Sequence, residues 1–249
     1  MFFLGKRSKN NNELNDKTYL PVHIAIIMDG NRRWAASRGL PKSIGYREGA
    51  NTLKKIVKAG DELGIKYLTA YAFSTENWTR PKDEVDVLMS LLLEFLKNAD
   101  KEIAGKNIRI KVIGGTNGLS EEIKNEIVRV TTNTQKNNGL TLVIALNYGS
   151  RNEIVDAVKR IASDVKRGGL KTSDINEKLF SNYLYTSGIP DPDLVIRPSG
   201  ENRLSNFLLW QSSYAEFWTS DILWPDFSKQ DLIHAITWYQ KRNRRFGGI

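Results

Sequence analysis

The chain has 249 residues, 40% of them hydrophobic, with no cysteine, two histidines and a formal net charge of +9. That length can bury a sizeable core in one domain, and the missing cysteines exclude disulfides and thiolate metal sites. With only His23 and His234 a His-rich zinc centre is excluded as well, while the charge favours an anionic partner: a phosphate substrate, an acidic lipid surface or nucleic acid.

No apolar run approaches the length of a membrane span. Met1 to Leu4 is apolar but too short for a signal peptide, and it lies on the wrong side of Lys6 and Arg7. The expected location is the cytoplasm, with peripheral contact at the inner face of a membrane. Residues 5–17 are polar and basic and include Asn10-Asn11-Asn12, so residues 1–18 read as a disordered basic tail. Residues 19–249 read as one domain, without repeats or a linker.

Ile24 to Met28 is an unbroken apolar run followed at once by Asp29-Gly30-Asn31, the pattern of a buried parallel strand ending in a turn. Open α/β sheets bind ligands at the carboxyl ends of such strands. Gly30 permits a tight turn, and Asn31 is expected to cap the helix that follows, leaving free N–H groups at its start. Arg32 and Arg33 add positive charge for phosphate oxygens, and Asp29 offers a carboxylate to a hard cation such as Mg²⁺. A capped helix with solvated arginines fits the same residues. A carboxylate at a strand end should contribute little to the core, so removing Asp29 should leave the fold intact.

Arg47 to Leu63 carries Ala50, Leu53, Ile56, Val57 and Gly60 on one helical face, and Gly64 fits its C-cap. Tyr67 to Phe73 reads as the second buried strand. The loop from Phe73 to Pro81 then follows another strand's carboxyl end; Asn77 can donate and accept there, or simply form an Asx-turn. Val85 to Leu96 is a helix apolar on nearly all sides, as core helices are. Ile108 to Ile113 is a third strand, residues 121–136 a helix opened by Ser120, and Leu140 to Leu146 a fourth strand. Arg151 to Val165 is a helix broken by Gly168-Gly169, and a short helix follows near Asp174 to Tyr183. Leu194 to Ile196 is a fifth strand, Phe207 to Trp210 a sixth and short one, and Ser228 to Arg245 a closing helix. The expected fold is α/β: a single domain with about six mainly parallel strands and helices on both faces.

Arg197 follows directly on an apolar strand and is hard to explain as a solvated side chain. Together with Arg203 and Ser205 it can hold a second diphosphate; a basic surface loop is the alternative. Glu216 is a lone carboxylate among aromatics, at a candidate strand edge.

The block His23-Ile24-Ala25-Ile26-Ile27-Met28-Asp29-Gly30-Asn31-Arg32-Arg33-Trp34 resembles the signature of the cis-prenyltransferases, specifically the bacterial undecaprenyl diphosphate synthases. Four further blocks agree: Ala72 to Trp78 with Arg80-Pro81, Asn147-Tyr148-Gly149, Asp193 to Arg197, and Ser199-Gly200-Glu201 running through Arg203 to Gln211. The resemblance covers residue 20 onward. It implies a Mg²⁺-dependent condensation of isopentenyl diphosphate onto an allylic diphosphate in a homodimer, with a hydrophobic tunnel walled by the Val85–Leu96 helix. Nucleic acid is not implied as a partner.

By the same resemblance Asp29 and Glu216 hold Mg²⁺. Gly30, Asn31, Arg32, Arg33, Trp34, Lys42 and Tyr46 face the allylic diphosphate. Arg197, Arg203, Leu204 and Ser205 face isopentenyl diphosphate. Asn77 assists ionisation and proton loss with Ser74, flanked by Thr75, Glu76, Trp78 and Arg80. The tail Arg245-Phe246-Gly247 is expected to reach the diphosphates across the dimer interface. The chain departs from its bacterial counterparts at Arg32 (usually Gly), Lys42 (usually Arg) and Tyr46 (usually His), with Pro198 a smaller oddity.

Rival patterns are absent. There is no Asp-Asp-x-x-Asp run, Walker A loop, Gly-x-Gly-x-x-Gly fingerprint or Gly-x-Ser-x-Gly elbow, and Asn31 stands where a haloacid-dehalogenase-type phosphatase needs a second Asp. No RRM or KH signature accompanies the dispersed basic residues. A non-catalytic prenyltransferase subunit would be expected to lack Asp29, Asn77 or Arg197, and all three are present.

Overall fold

The computed structural model describes residues 19–102 and 107–242. Six parallel strands form one sheet in the order β3-β4-β2-β1-β5-β6. They are β1 (His23–Ile27), β2 (Tyr67–Ser74), β3 (Arg109–Ile113), β4 (Thr141–Tyr148), β5 (Leu194–Pro198) and β6 (Glu216–Ser220). Both neighbours of β1 are parallel to it, with Ile24 opposite Leu68 on one side and Leu194 on the other. Every residue of β1, β4 and β5 is buried, as continuous apolar runs in a doubly covered parallel sheet should be.

Helices α1 (Asn31–Ala36) and α2 (Lys42–Leu63) connect β1 to β2. A 3₁₀ turn, Thr75–Thr79, and α3 (Lys82–Glu102) follow β2; α4 (Glu121–Thr134) follows β3; α5 (Ser150–Lys166) and α6 (Glu177–Tyr183) follow β4; α7 (Lys229–Gln240) closes the described chain. One core gathers Ile24, Ile26, Leu68 and Ile144 with Leu53 and Ile56 of α2, Leu96 of α3 and Leu232 of α7. The second gathers Ala25, Val143 and Val195 with Tyr148 and Phe207 on the opposite face.

Local signals explain the helix ends. Gly64 takes a left-handed φ of 91° at the C-cap of α2. Ser120 accepts from the Ile123 N–H at the start of α4, and Ser228 with Asp231 forms a capping box at the start of α7.

Two expectations fail. Phe207–Trp210 is a series of turns, because Ser205, Asn206 and Leu208 have φ of 50°, 64° and 47°. Left-handed backbone cannot continue a strand, so the apolar Phe207 and Leu208 are buried as turn residues instead. The sixth strand is Glu216–Ser220, a half-buried edge pairing with β5. Asn31 does not cap α1 either: Gly30 holds that position with no side-chain bond, and Asn31 is the first helical residue. The residue 1–18 tail and the Arg245 end of the closing helix lie outside the described residues.

The strand order places a crevice. After β1 the chain turns towards β2, and after β5 it turns the opposite way towards β6. Connections that diverge from adjacent strands leave a gap above their carboxyl ends, where doubly wound sheets bind ligands. Asp29 stands just past the end of β1, and Arg197 is the penultimate residue of β5.

Candidate active site

Asp29 and Arg197 meet across that gap, with Arg197 Nη2 donating to Asp29 Oδ2 at 2.8 Å. The Gly30 N–H donates to Asp29 Oδ1 at 2.7 Å. Gly30 has φ of 103°, which most side chains avoid, and this lets the chain double back into α1 directly below the carboxylate. Burial would raise the Asp29 carboxyl, but the Arg197 hydrogen bond and charge, the Gly30 N–H and the Arg33 charge hold it below its ordinary value. Arg197 is only 4% exposed, as its place after an apolar strand suggested. Its Nη1 donates to Ser205 Oγ at 2.8 Å and to the Arg203 carbonyl. Its Nε is buried without a partner.

Arg33 Nη1 donates to the Ser199 carbonyl at 2.9 Å, which ties α1 to the loop after β5. Asn31 Nδ2 donates to the Met28 carbonyl at 3.2 Å. Its amide lies so close to α2 that a Cβ on Gly49 would stand 2.3 Å from Asn31 Oδ1, so Gly49 is the residue that admits it. In the Thr75–Thr79 turn the Asn77 amide oxygen accepts the Ser74 N–H at 3.1 Å. Asn77 is therefore a cap and a cleft residue at once. Asn206 Nδ2 donates to Glu76 Oε1 at 2.7 Å, and Asn206 Oδ1 accepts from the Arg151 N–H at 2.9 Å, so one side chain ties the Asn77 turn to α5.

These groups line two adjoining lobes of one open cleft. The first, of about 510 Å³, is lined by Asp29, Gly30, Asn31, Arg32, Arg33, Lys42, Tyr46 and Arg80. The second, of about 620 Å³, adds Ser74, Glu76, Asn77, Arg197, Arg203 and Ser205. Below them lies an apolar cavity of about 110 Å³ between α2, α3 and the sheet, bounded by Leu53, Leu88, Leu91, Leu92 and Phe95. Met28, Asn31, Tyr46, Ala72 and Leu88 border both the second lobe and the cavity, so the polar cleft opens directly onto apolar surface.

Glu84, in the first turn of α3, is a buried carboxylate at the wall of the first lobe. It accepts from Tyr46, Arg80 and Lys42. Burial would raise its carboxyl, but those bonds and the Arg32 charge bring it down to about 2.

Five candidate residues lie outside the cleft. Trp34 Nε1 donates to Asp226 at 2.6 Å while Arg38 sits 4.3 Å above its ring, so it pins α1 to the 224–226 turn. Trp78 Nε1 donates to Asn147 Oδ1 at 2.7 Å, and its ring meets Phe73 edge-on. Thr75 packs against Gly149, and Leu204 against the second core. Glu216 begins β6, where it aligns with Leu194 and hence with Ile24. Asp29 lies about 16 Å further along the strand direction at ~3.3 Å per residue, so within one chain the two carboxylates cannot share an ion. Glu216 instead accepts from Arg242 Nε at 3.0 Å. Arg245-Phe246-Gly247 lies outside the described residues.

Sequence reasoning gave no role to Glu84 or Asn206. Glu84 resembles any acidic residue in a helix's first turn, and nothing local marks Asn206. Tyr71 and Ala72 were read only as strand, although a strand that ends at the cleft presents its last residues to it.

Fold and cleft together define an α/β protein with a cleft lined by cationic side chains at a sheet switch point, beside an apolar cavity. The family model described as "Putative undecaprenyl diphosphate synthase" matches residues 27–247. An isoprenyl transferase of Clostridium perfringens is 55% identical over 251 residues, covering 100% of this chain and 98% of that protein. One of Geobacillus kaustophilus is 53% identical over 230 residues, 92% of this chain and 90% of its own length. Among solved structures, lavandulyl diphosphate synthase from Lavandula x intermedia in complex with dimethylallyl diphosphate superposes with a TM-score of 0.89 at 41% identity, covering 92% of this chain and 99% of that one. A probable undecaprenyl diphosphate synthase from Campylobacter jejuni gives 0.76 at 35% identity, covering 93% and 100%. The chain belongs to the undecaprenyl diphosphate synthase family, the cis-prenyltransferases, and its activity is cis-prenyl chain elongation.

The Asp29–Arg197 bond changes what removal of Asp29 should do. Asp29→Ala strands a buried guanidinium that keeps only Ser205 and a carbonyl. The expected loss is about 1–3 kcal/mol of stability, read from the urea midpoint, together with a fall in turnover of at least a hundredfold. A solvated strand-end carboxylate would shift stability by no more than ~0.5 kcal/mol.

Acid should act through Glu84. Its folded pKa is depressed from 4.5 to about 2, so its stabilisation is complete above pH 4.5 and is lost as the pH falls towards 2. The loss is on the order of 3 kcal/mol. Urea titrations between pH 5 and pH 2 should show a shallower decline in Glu84→Gln than in the unaltered protein.

Proposed function

We propose that the protein condenses isopentenyl diphosphate units in cis onto farnesyl diphosphate, with Mg²⁺, to make undecaprenyl diphosphate, a lipid carrier for cell-wall precursors. The observation that carries this reading is the continuity of the cleft with the apolar cavity through Met28, Asn31, Tyr46, Ala72 and Leu88. An amphiphile with a diphosphate head and a hydrocarbon tail needs that junction, and a soluble phosphate ester does not. The complex of the lavender enzyme with dimethylallyl diphosphate supports an allylic diphosphate as one substrate.

In this reading Arg32, Arg33, Lys42 and Arg80 receive the allylic diphosphate in the first lobe, and Arg203 and Ser205 receive isopentenyl diphosphate in the second. Two polyanions are thereby held side by side, and their repulsion is offset by fixed cations. The C1–O bond of the allylic substrate breaks and pyrophosphate departs. The terminal double bond of isopentenyl diphosphate attacks C1, and loss of a proton from its C2 leaves the new cis double bond. Asn77, fixed by the Ser74 N–H, orients the departing group and the proton acceptor.

The donor set fits a Mg²⁺ ion that Asp29 would hold together with oxygens the protein does not supply. Asp29 supplies one carboxylate with lone pairs beyond those used by Gly30 and Arg197, and no cluster of three or more His, Cys, Asp or Glu among the described residues forms a protein-only cage. Held by Asp29, such an ion would supply charge neutralisation for a departing pyrophosphate. The proposal includes a homodimer, because Glu216 could join an ion on Asp29 only from a second copy. It also includes product transfer at a membrane surface by a peripheral protein: no helix among the described residues is long and apolar enough to cross a membrane.

The test is incubation with labelled isopentenyl diphosphate, farnesyl diphosphate and Mg²⁺, with chromatography of the products. A ladder ending at a long cis-polyprenyl diphosphate is expected. Absence of condensation with any allylic starter, or short all-trans products, would refute the reading. Leu88 and Leu92 lie one helical turn apart on the cavity wall, so Leu92→Trp should shorten the product. An unchanged ladder with about 1–3 kcal/mol lower stability would assign Leu92 to packing alone.

A further inference from the structure

The wall of the first lobe is assembled around one anion. Glu84 is 3% exposed. Its Oε1 accepts from Tyr46 Oη at 2.6 Å and from Arg80 Nη1 at 2.7 Å, and its Oε2 accepts from Lys42 Nζ at 3.2 Å. Arg32 Nη1 stands 3.9 Å from Oε1. Arg80 Nη1 also donates to Tyr46 Oη at 2.8 Å, so the phenol donates a hydrogen bond to Glu84 while accepting one from Arg80. Burial and the Glu84 bond push the Tyr46 hydroxyl up, which keeps that proton in place.

The four partners come from separate elements: Arg32 from α1, Lys42 and Tyr46 from the start of α2, and Arg80 from the end of the Thr75–Thr79 turn. All four line the first lobe, where Arg32 and Lys42 remain half exposed above a carboxylate that is almost wholly covered. The Arg80 N–H donates to the Asn77 carbonyl at 3.1 Å, so the same cluster reaches the backbone of the turn that carries Asn77.

We propose that Glu84 is the positioning residue of the allylic-diphosphate lobe: it holds Lys42, Tyr46 and Arg80 in one donor array and couples that array, through Arg80, to the Asn77 turn. This rests on the function proposed above. Three long cations gathered at one wall repel one another and regain rotamer freedom unless a fixed anion collects them. A buried carboxylate is in turn tolerable because both of its oxygens are hydrogen-bonded and cations surround it. Tyr46 belongs to the same unit. It spans Glu84 and Arg80 without adding a charge, and Arg32 restores a cation to the lobe.

Positioning and mere charge compensation differ in sign. If Glu84 only reduced the positive field, Glu84→Gln would bind the allylic diphosphate more tightly. If it positions the array, the variant binds that substrate more weakly. Steady-state kinetics on Glu84→Gln should show KM for farnesyl diphosphate raised about tenfold or more and KM for isopentenyl diphosphate changed less than about twofold. Tyr46→Phe should move the same constant in the same direction by less, and the double variant should be no worse than Glu84→Gln alone, since both remove one unit. Unchanged or tighter allylic binding in Glu84→Gln, or an equal rise for both substrates, overturns the proposal. If Glu84→Gln does not fold, Tyr46→Phe decides alone, and an unaltered farnesyl KM overturns it. An unaltered protein that condenses no allylic diphosphate refutes the function instead, whereas an active protein with a normal Glu84→Gln variant refutes only the role of Glu84.

Discussion

The cleft depends on a charge pair formed between two strand ends. Arg197, next to the end of β5, is 4% exposed, where a lone guanidinium would be untenable. Asp29, delivered by β1, makes it tenable. Because β1 and β5 are adjacent and parallel, the pair fixes the spacing of the two loops that carry Arg33 and Arg203 into the cleft. The same bond keeps Asp29 ionised without neutralising the site as a whole. Arg33, Arg203, Lys42 and Arg80 still face the cleft, so it presents net positive charge to a ligand.

What the sequence made legible was whatever a single segment decides. Strands β1, β4 and β5 announce themselves because burial on both faces demands apolar runs. Asp29, two residues past β1, was legible as a cleft residue because the fold class dictates where an α/β sheet leaves its crevice. Strand β6 carries no such signal: Glu216, Phe217, Trp218, Thr219 and Ser220 are all half-buried at an edge, and no alternation survives. Phe207–Trp210 misled for the converse reason. Its apolar composition is that of a strand, but its backbone is left-handed, and neither Ser205 nor Leu208 advertises positive φ as glycine would.

The departures from the bacterial pattern also become intelligible only in three dimensions. Lys42 and Tyr46 read separately as losses of a bidentate fork and of a titratable ring. In the structure both bond the same carboxylate, forty residues distant, and Arg32 stands beside them. Long-range charge clusters of this kind leave no periodicity. Residue types at four positions must be compared in space before their joint logic is visible, and the family pattern alone marks them as oddities.

The small size of the apolar cavity has a mechanical consequence. A closed apolar cavity of about 150 Å³ takes one benzene ring, so the 110 Å³ here is filled by little more than one five-carbon unit. On the function proposed above, a longer hydrocarbon would either extend back into the open cleft or part α2 and α3 against the packing of Leu53, Leu88, Leu92 and Phe95. In the second case the two helices would act as a spring, and the stiffness of the α2–α3 seam would limit the chain the cavity takes as surely as a blocking side chain.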